Sequence, residues 1–281
     1  MTDPAQWTGY IIPSVAAVLI FAVAAKRILR VKRRRDLRLQ PFPDAWRRLL
    51  EENIPLYRHL PQDLKTQLHG LIHLFLDEKT FIVCRGQQIT DPVKITIAAQ
   101  ACILLLNRPT KLYPRLSTIY VYPQTYVVDS IHHHDGLIVE GKDVRLGESW
   151  RNGPVVLAWD SIARAARNVQ YEHNVVLHEF AHQLDQEDGA VNGAPLLDSP
   201  SSYKTWAAVL GAEYEKLRNT IHACRHSILD PYGATDPAEF FAVATEAFFE
   251  KPRQMQKHSP RLYEEFKNYY KLDPAKWKAD E

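Results

Sequence analysis

The chain has 281 residues, of which 46% are hydrophobic and 24% are charged, and its formal net charge is +2 at pH 7. This is an ordinary globular composition, and its three cysteines have no metal-binding or redox spacing, so reduced thiols are expected rather than a disulfide framework. Residues 1–38 hold eight basic residues against two acids, which leaves −4 on residues 39–281. This acidic remainder is a poor match for nucleic acid, and no direct nucleic-acid binding is expected.

The N-terminal segment predicts a membrane anchor. Pro4 to Ala25 contains no charged residue and is long enough to cross a hydrocarbon core as one helix, with Trp7 and Tyr10 placed as interfacial residues. The basic run KRILRVKRRRDLR follows directly. Positive charge on that flank predicts a single pass through the inner (cytoplasmic) membrane, with the rest of the chain in the cytoplasm. A cleaved signal peptide is the alternative, but it requires the opposite order of charge.

These features divide the chain into three parts. Residues 1–26 are predicted as the transmembrane anchor, 27–42 as a basic juxtamembrane linker, and 43–281 as one globular domain.

The globular part predicts an α+β fold. Helical periodicity is clear in DAWRRLLEENI and DLKTQLHGLIHLFLDE; VKITIAAQACILLL also suits a helix, although a buried strand is an alternative. Strands are predicted in TFIVCR, TIYVYP, TYVVDS, GLIVEG and GPVVLAW, and the chain from Ser161 is largely helical. The expected architecture is a small mixed sheet followed by a helical C-terminal half. We further expect GPVVLAW to be a sheet edge that holds an extended substrate.

The most informative motif is HEFAH, which contains His178, Glu179 and His182. Residues four apart lie on one helix face, so both imidazoles can reach one metal ion with the Glu beside it. Such a site needs a third protein ligand and leaves a position for water, whose proton Glu179 would take. A buried helix whose histidines bind core carbonyls is the alternative. Asp185, on the same face, suits a partner for an imidazole N–H better than a ligand or an ordinary polar residue.

A third ligand is expected downstream, in PYGATDPAEFFAVATEAFFEKP. Asp236 and Pro237 predict the start of a helix that runs to about Glu250. Glu239 is slightly favoured as the ligand and Glu246 is next. The alternative for Glu239 is a capping box with Asp236, because the spacing D-x-x-E suits both.

Other histidines are weaker candidates. His132, His133 and His134 are consecutive, so their side chains would alternate in a strand and lack a defined geometry in a loop. His222 and His226 lack a neighbouring Glu to act as a base, and we interpret them as structural or solvent-facing.

Several ordered segments resemble one family, that of Mlc titration factor A, a group of glucose-regulated zinc metallopeptidases. The resemblance covers about Leu49 to Leu272, and its segments are IPLYRHLPQDLKTQL, IYVYPQTYVVD, GESWRNGPVVLAWDSI, HEFAHQLD and YGATDPAEFFAVATEAFF.

The resemblance implies a zincin-like metallopeptidase domain with one Zn²⁺ per chain. It implies that His178, His182 and Glu239 are the metal ligands and that Glu179 is the catalytic base. Tyr232, seven residues before Glu239, takes the position of a tyrosine beside the active site, where it either donates to the oxyanion or shapes the pocket.

The resemblance also implies aminopeptidase-like hydrolysis of peptide substrates. The alternative function is regulatory, namely binding and sequestering a transcriptional repressor of the Mlc type. A zinc-dependent structural domain without hydrolysis is a third, weaker hypothesis, because a purely structural site needs no base such as Glu179.

Overall fold

A computed structural model describes most of the chain, which forms two compact units, Met1–Pro41 and Phe42–Glu281. Within these units the side chains of residues 4–16, 126–149 and 165–167 lie outside the described part. The backbone is described for residues 4–84, 89–108, 111–124, 126–134, 137–145, 147–149, 153–167 and 173–277.

The first unit is built on one long helix, α1, Pro4–Leu39. Across the residues that can be described, no helix combines the length and apolar character needed to cross a membrane. The predicted anchor is therefore not supported by the structure, and its first part, up to residue 16, lies outside the described side chains. The anchor stays a prediction from sequence.

The second unit begins with four helices. They are α2 (Asp44–Asn53), α3 (Pro55–His59), α4 (Gln62–Glu78) and α5 (Asp91–Ile103). Three of them, α2, α4 and α5, lie where helical periodicity was predicted. Helix α5 corresponds to the segment for which a buried strand was the alternative. Ten of its thirteen residues are buried, which explains why its sequence is apolar on nearly all sides.

In the described part of the chain, six strands form two sheets. The strands are β1 (Thr80–Val83), β2 (Thr118–Tyr122), β3 (Tyr126–His134), β4 (Leu137–Arg145), β5 (Gly147–Ser149) and β6 (Val155–Ala158). The main sheet has the order β1-β2-β6-β5, in which β1, β2 and β6 are parallel and β5 is antiparallel to β6. Strands β3 and β4 form a separate antiparallel pair, which includes His132, His133 and His134.

The sheet order corrects one prediction. GPVVLAW contains β6, which was expected at the edge, but β6 lies between β2 and β5 and all four of its residues are buried. The edge strands of this sheet are β1 and β5, and the edge beside β6 is β5, a three-residue strand.

The described chain after β6 is largely helical, as predicted. It contains α6 (Trp159–Arg167), α7 (Val175–Asp185), α8 (Pro200–His222), α9 (Pro237–Glu250), α10 (Pro252–His258) and α11 (Pro260–Tyr270). The aromatic residues of α11 pack into the core, where Phe266 and Tyr270 are fully buried and contact Phe248 of α9. Helix α9 therefore contacts the C-terminal helices α10 and α11, and it also packs against α7.

Candidate metal centre

Helix α7 carries the HEFAH motif and is buried along its whole length. Asn174 caps its N-terminus, because the side-chain oxygen accepts the Leu177 N–H at 3.1 Å. Its fully buried Phe180 packs against Tyr113, with ring centroids 4.9 Å apart. His178 and His182 stand one turn apart and are both buried.

Helix α9 brings the third residue of the cluster. The Asp236 carboxylate caps α9 by accepting the N–H groups of Ala238 and Glu239, at 2.8 and 3.0 Å. The Glu239 side chain turns toward α7, and its Oε2 lies 3.0 Å from His178 Nε2 and 3.3 Å from His182 Nε2. The two Nε2 atoms are 3.2 Å apart.

The spacing of these three atoms fits a tetrahedral metal ion. Metal–ligand bonds of about 2.0–2.2 Å place neighbouring ligands of a tetrahedral zinc ion roughly 3.3 Å apart. Two imidazole nitrogens and a carboxylate oxygen are also the donor types that such an ion binds. His178, His182 and Glu239 therefore form a group able to hold a metal ion.

The electrostatics favour an ionised Glu239. Burial by itself raises the pKa of this carboxyl, but the hydrogen bonds and charges of His178 and His182 outweigh that effect and hold the pKa below its ordinary value. An ionised carboxylate is the form that binds a metal.

Glu179 is a buried carboxyl on the same helix, with only 5% of its surface exposed. Burial raises its pKa above the ordinary value, while His178 and His182 act in the opposite direction. A carboxyl whose pKa is raised in this way accepts and returns a proton more readily near neutral pH.

Tyr232 is an exposed residue near His178. It belongs to a short 3₁₀ helix, Pro231–Ala234, in which the Asp230 carboxylate accepts the Tyr232 N–H at 2.8 Å. Its ring centroid is 6.1 Å from that of His178, and the side chain is 51% exposed. The aromatic ring is therefore near one of the two imidazoles, and the side chain is accessible to solvent.

Asp185 does not have the partner expected for it. Its Oδ2 accepts the N–H of Gly193 at 3.0 Å, so it holds the loop after α7 rather than an imidazole. Among the described residues, no hydrogen bond is made by Asp185 Oδ1 or by His182 Nδ1.

The imidazole partner is Glu246 instead, two turns after Glu239 on α9. Its Oε1 accepts a hydrogen bond from His178 Nδ1 at 2.8 Å. His173, which the motif search did not single out, lies with its Nδ1 3.1 Å from Glu246 Oε2. The i, i+7 spacing of Glu239 and Glu246 is the sequence signal for two carboxylates on one face, but it does not identify His173.

The fold and the cluster together define a mixed α+β protein with a candidate metal site on an HExxH helix. The chain belongs to the glucose-regulated metallo-peptidase M90 family, whose model matches residues 28–271. This confirms the family resemblance of the sequence.

Curated relatives cover most of the chain. An uncharacterized protein, slr2042, of Synechocystis sp. is 44% identical over 244 residues, which is 86% of this chain and 89% of that protein. Mlc titration factor A of Klebsiella pneumoniae strain 342 is 32% identical over 225 residues, covering 79% of this chain and 84% of that protein. Mlc titration factor A of Cronobacter sakazakii is 31% identical over 240 residues, covering 84% and 88%.

Proposed function

We propose that the protein is a zinc-dependent peptidase with aminopeptidase-like activity. The observation that carries this proposal is the convergence of His178, His182 and Glu239 beside a buried carboxyl, Glu179. A structural metal site needs no such carboxyl, whereas hydrolysis needs a base at this position.

His178, His182 and Glu239 would hold the zinc ion. When bound, zinc lowers the pKa of water and polarises a carbonyl group. An N₂O donor set with three protein ligands is typical of catalytic rather than structural zinc sites.

Glu179 and Tyr232 supply the remaining chemistry. Glu179 accepts a proton from the attacking water and delivers it to the amine nitrogen of the leaving group. The exposed phenol of Tyr232, beside His178, donates a hydrogen bond to the oxygen of the tetrahedral intermediate.

The peptide substrate would bind along β5. This strand contacts α7, and its second edge pairs with no other strand in the described part of the chain. An extended peptide can add to such an edge through main-chain hydrogen bonds.

The test compares the wild-type chain with Glu179→Gln on a panel of amino-acid amides and short peptides. We expect one zinc per chain in both proteins and a loss of about 10²-fold or more in kcat/KM for the variant, because only the proton acceptor is removed. Glu187→Gln is the control, since Glu187 follows the same helix but contacts no residue of the cluster in the described structure. Hydrolysis at the wild-type rate in Glu179→Gln would contradict the mechanism.

A second function is favoured by the relatives named Mlc titration factor A, which are 31–32% identical to this chain. In this alternative the protein binds and sequesters a transcriptional repressor of the Mlc type, with or without hydrolysis. Capture of purified repressor by both wild type and Glu179→Gln would support this function. If both proteins bind zinc and neither hydrolyses any substrate, the result would favour the sequestering function over the peptidase function.

The proposed location is the inner membrane, with the second unit in the cytoplasm. Support comes from the uncharged segment Pro4–Ala25 and the basic residues that follow it. Fractionation of cells that make the full chain or residues 40–281 tests this location. Recovery of the full chain in the supernatant at low and high salt would exclude it.

A further inference from the structure

The Glu246 carboxylate lies within hydrogen-bonding distance of three residues around the start of α7, namely His173, Asn174 and His178. Glu246 is a buried residue, 4% exposed, in the middle of α9. Its Oε2 accepts the backbone N–H of Asn174, the cap of α7, at 2.6 Å, and lies 3.1 Å from His173 Nδ1. Its Oε1 accepts from His178 Nδ1 at 2.8 Å. One carboxylate therefore fixes both the position of the helix and one of its imidazoles.

The hydrogen bond to His178 determines which ring nitrogen is free. An ionised carboxylate only accepts hydrogen bonds, so Nδ1 must carry the proton. In a neutral imidazole the lone pair is then on Nε2, the atom that faces His182 Nε2 and Glu239 Oε2. This is the tautomer that the metal centre requires.

The spacing on α9 makes this arrangement possible. Glu239 and Glu246 are seven residues apart, or two helical turns, so they lie on one face about 10 Å apart along the axis. The ring of His178 lies between them and contacts one carboxylate through each nitrogen. A single helix thus supplies one carboxylate on the metal side of the imidazole and another on its opposite side.

We propose that Glu246 is a positioning residue of the metal centre, which sets the tautomer and orientation of His178 and thereby raises the affinity for the metal. This inference rests on the proposed metal-binding function of His178, His182 and Glu239. Carboxylate partners of ligating histidines typically change metal affinity by about 10–100-fold when they are mutated.

A glutamine cannot replace Glu246 without a conflict. If the amide oxygen of Glu246→Gln faces His178, its NH₂ group faces the Asn174 N–H, and two donors meet. If the amide is turned around, NH₂ faces His178 Nδ1 and favours the tautomer with the proton on Nε2. The first orientation weakens the helix cap, and the second removes the lone pair from the metal side.

The experiment measures zinc affinity of the full chain by competition with a chromophoric chelator, without substrate. Glu246→Gln is compared with Glu250→Gln, which is a matched control because Glu250 Oε1 accepts from Asn174 Nδ2 at 2.9 Å and, among the described residues, Glu250 makes no hydrogen bond to an imidazole. We expect a 10–100-fold weaker zinc affinity for Glu246→Gln and less than a threefold change for Glu250→Gln. Circular dichroism and denaturant unfolding of the metal-free proteins show whether each variant folds.

A second readout separates positioning from general loosening of the structure. The visible absorption spectrum of the cobalt(II)-loaded protein reports the coordination geometry, and we expect it to change in Glu246→Gln but not in Glu250→Gln. If both variants lose zinc affinity equally, or if Glu246→Gln binds zinc as wild type does, the positioning role is wrong. Since no substrate is used, either result leaves the proposed hydrolysis open, whereas failure of the wild type to bind zinc would overturn both proposals.

Discussion

Glu239 is held in place by contacts to both its backbone and its side chain. The Asp236 cap fixes its backbone N–H, and the two imidazoles of α7 hold its side chain. The sequence D-x-x-E left a capping box and a metal-facing carboxylate as alternatives. In the structure Asp236 performs the capping, which leaves the Glu239 side chain to face the histidines.

Position 193 requires a glycine, both because of its backbone conformation and because of the atoms around it. Its φ angle is +73°, and a Cβ atom would lie 2.2 Å from the carbonyl oxygen of Pro237, at the start of α9. Its N–H and carbonyl bind Asp185 and the Trp206 indole. The loop after α7 is therefore in close backbone contact with the helix that carries Glu239.

We expect Gly193→Ala to destabilise the protein by more than about 2 kcal/mol, because a strained φ and a backbone clash add together. Gly211→Ala is the control, since Gly211 lies inside α8 with no atom within 4 Å of the added carbon, and it should stabilise by about 0.5–1 kcal/mol. Denaturant unfolding measures both. Equal stability of the two variants would show that the loop can move away from Pro237.

At the scale of elements, α7 differs from the amphipathic helix that the sequence suggests. Its apolar flank is clear from the sequence, but all eleven residues are buried, including the two histidines, Glu179 and Asp185. The polar side is covered because α9 packs on it and brings two carboxylates to His178. Burial of these polar groups is tolerated because hydrogen bonds and charge partners satisfy many of them.

The apolar side of α7 is where its stability should originate. Phe180 is fully buried, with its ring centroid 4.9 Å from that of Tyr113 and 5.8 Å from that of Phe75. Phe180→Ala should lower the free energy of unfolding by about 3–5 kcal/mol, and Phe180→Leu by less than about 2. A cost below about 1 kcal/mol for the alanine variant, measured in denaturant, would mean that α7 is held mainly by its polar contacts.

The order of the strands is a property of the fold that periodicity did not supply. Each strand except β5 overlaps a segment that the sequence predicted as a strand, yet β6 is internal and the edge strand next to it is β5. A short apolar run suits an edge and a central strand alike, because the pairing partner comes from elsewhere in the chain.

At the scale of the whole molecule, the two units differ in charge and content. Met1–Pro41 has a net positive charge, with eight basic residues against two acids, whereas the sheet, the HEFAH helix and α9 belong to Phe42–Glu281. The candidate metal ligands come from two helices that are distant in sequence. Metal binding is therefore expected to be coupled to folding of the second unit as a whole.

Removal of the metal should lower the melting temperature. A ligand that binds only the folded state at a thousand times its Kd stabilises by about 4 kcal/mol, which corresponds to a shift on the order of 10 °C for a domain of this size. Calorimetry with and without a chelator measures the shift. The melting temperature of Glu179→Gln should fall with the chelator as that of the wild type does. The melting temperature of Glu239→Ala should be low and the same with and without the chelator. A wild-type melting temperature that does not depend on the chelator would contradict the coupling of metal binding to folding.

Local periodicity and capping in the sequence predicted most of the helices and strands, and the HEFAH spacing predicted that His178 and His182 face one metal ion. Spacing favoured Glu239 only slightly as the third ligand, and the family resemblance implied the full set. Tertiary contacts decided that Glu246, not Asp185, binds an imidazole, that His173 lies beside Glu246, and that β5 rather than β6 is an edge strand. Those outcomes depend on how α9 packs against α7 and on which strands pair, and contacts between segments far apart in the chain leave no local pattern in either segment.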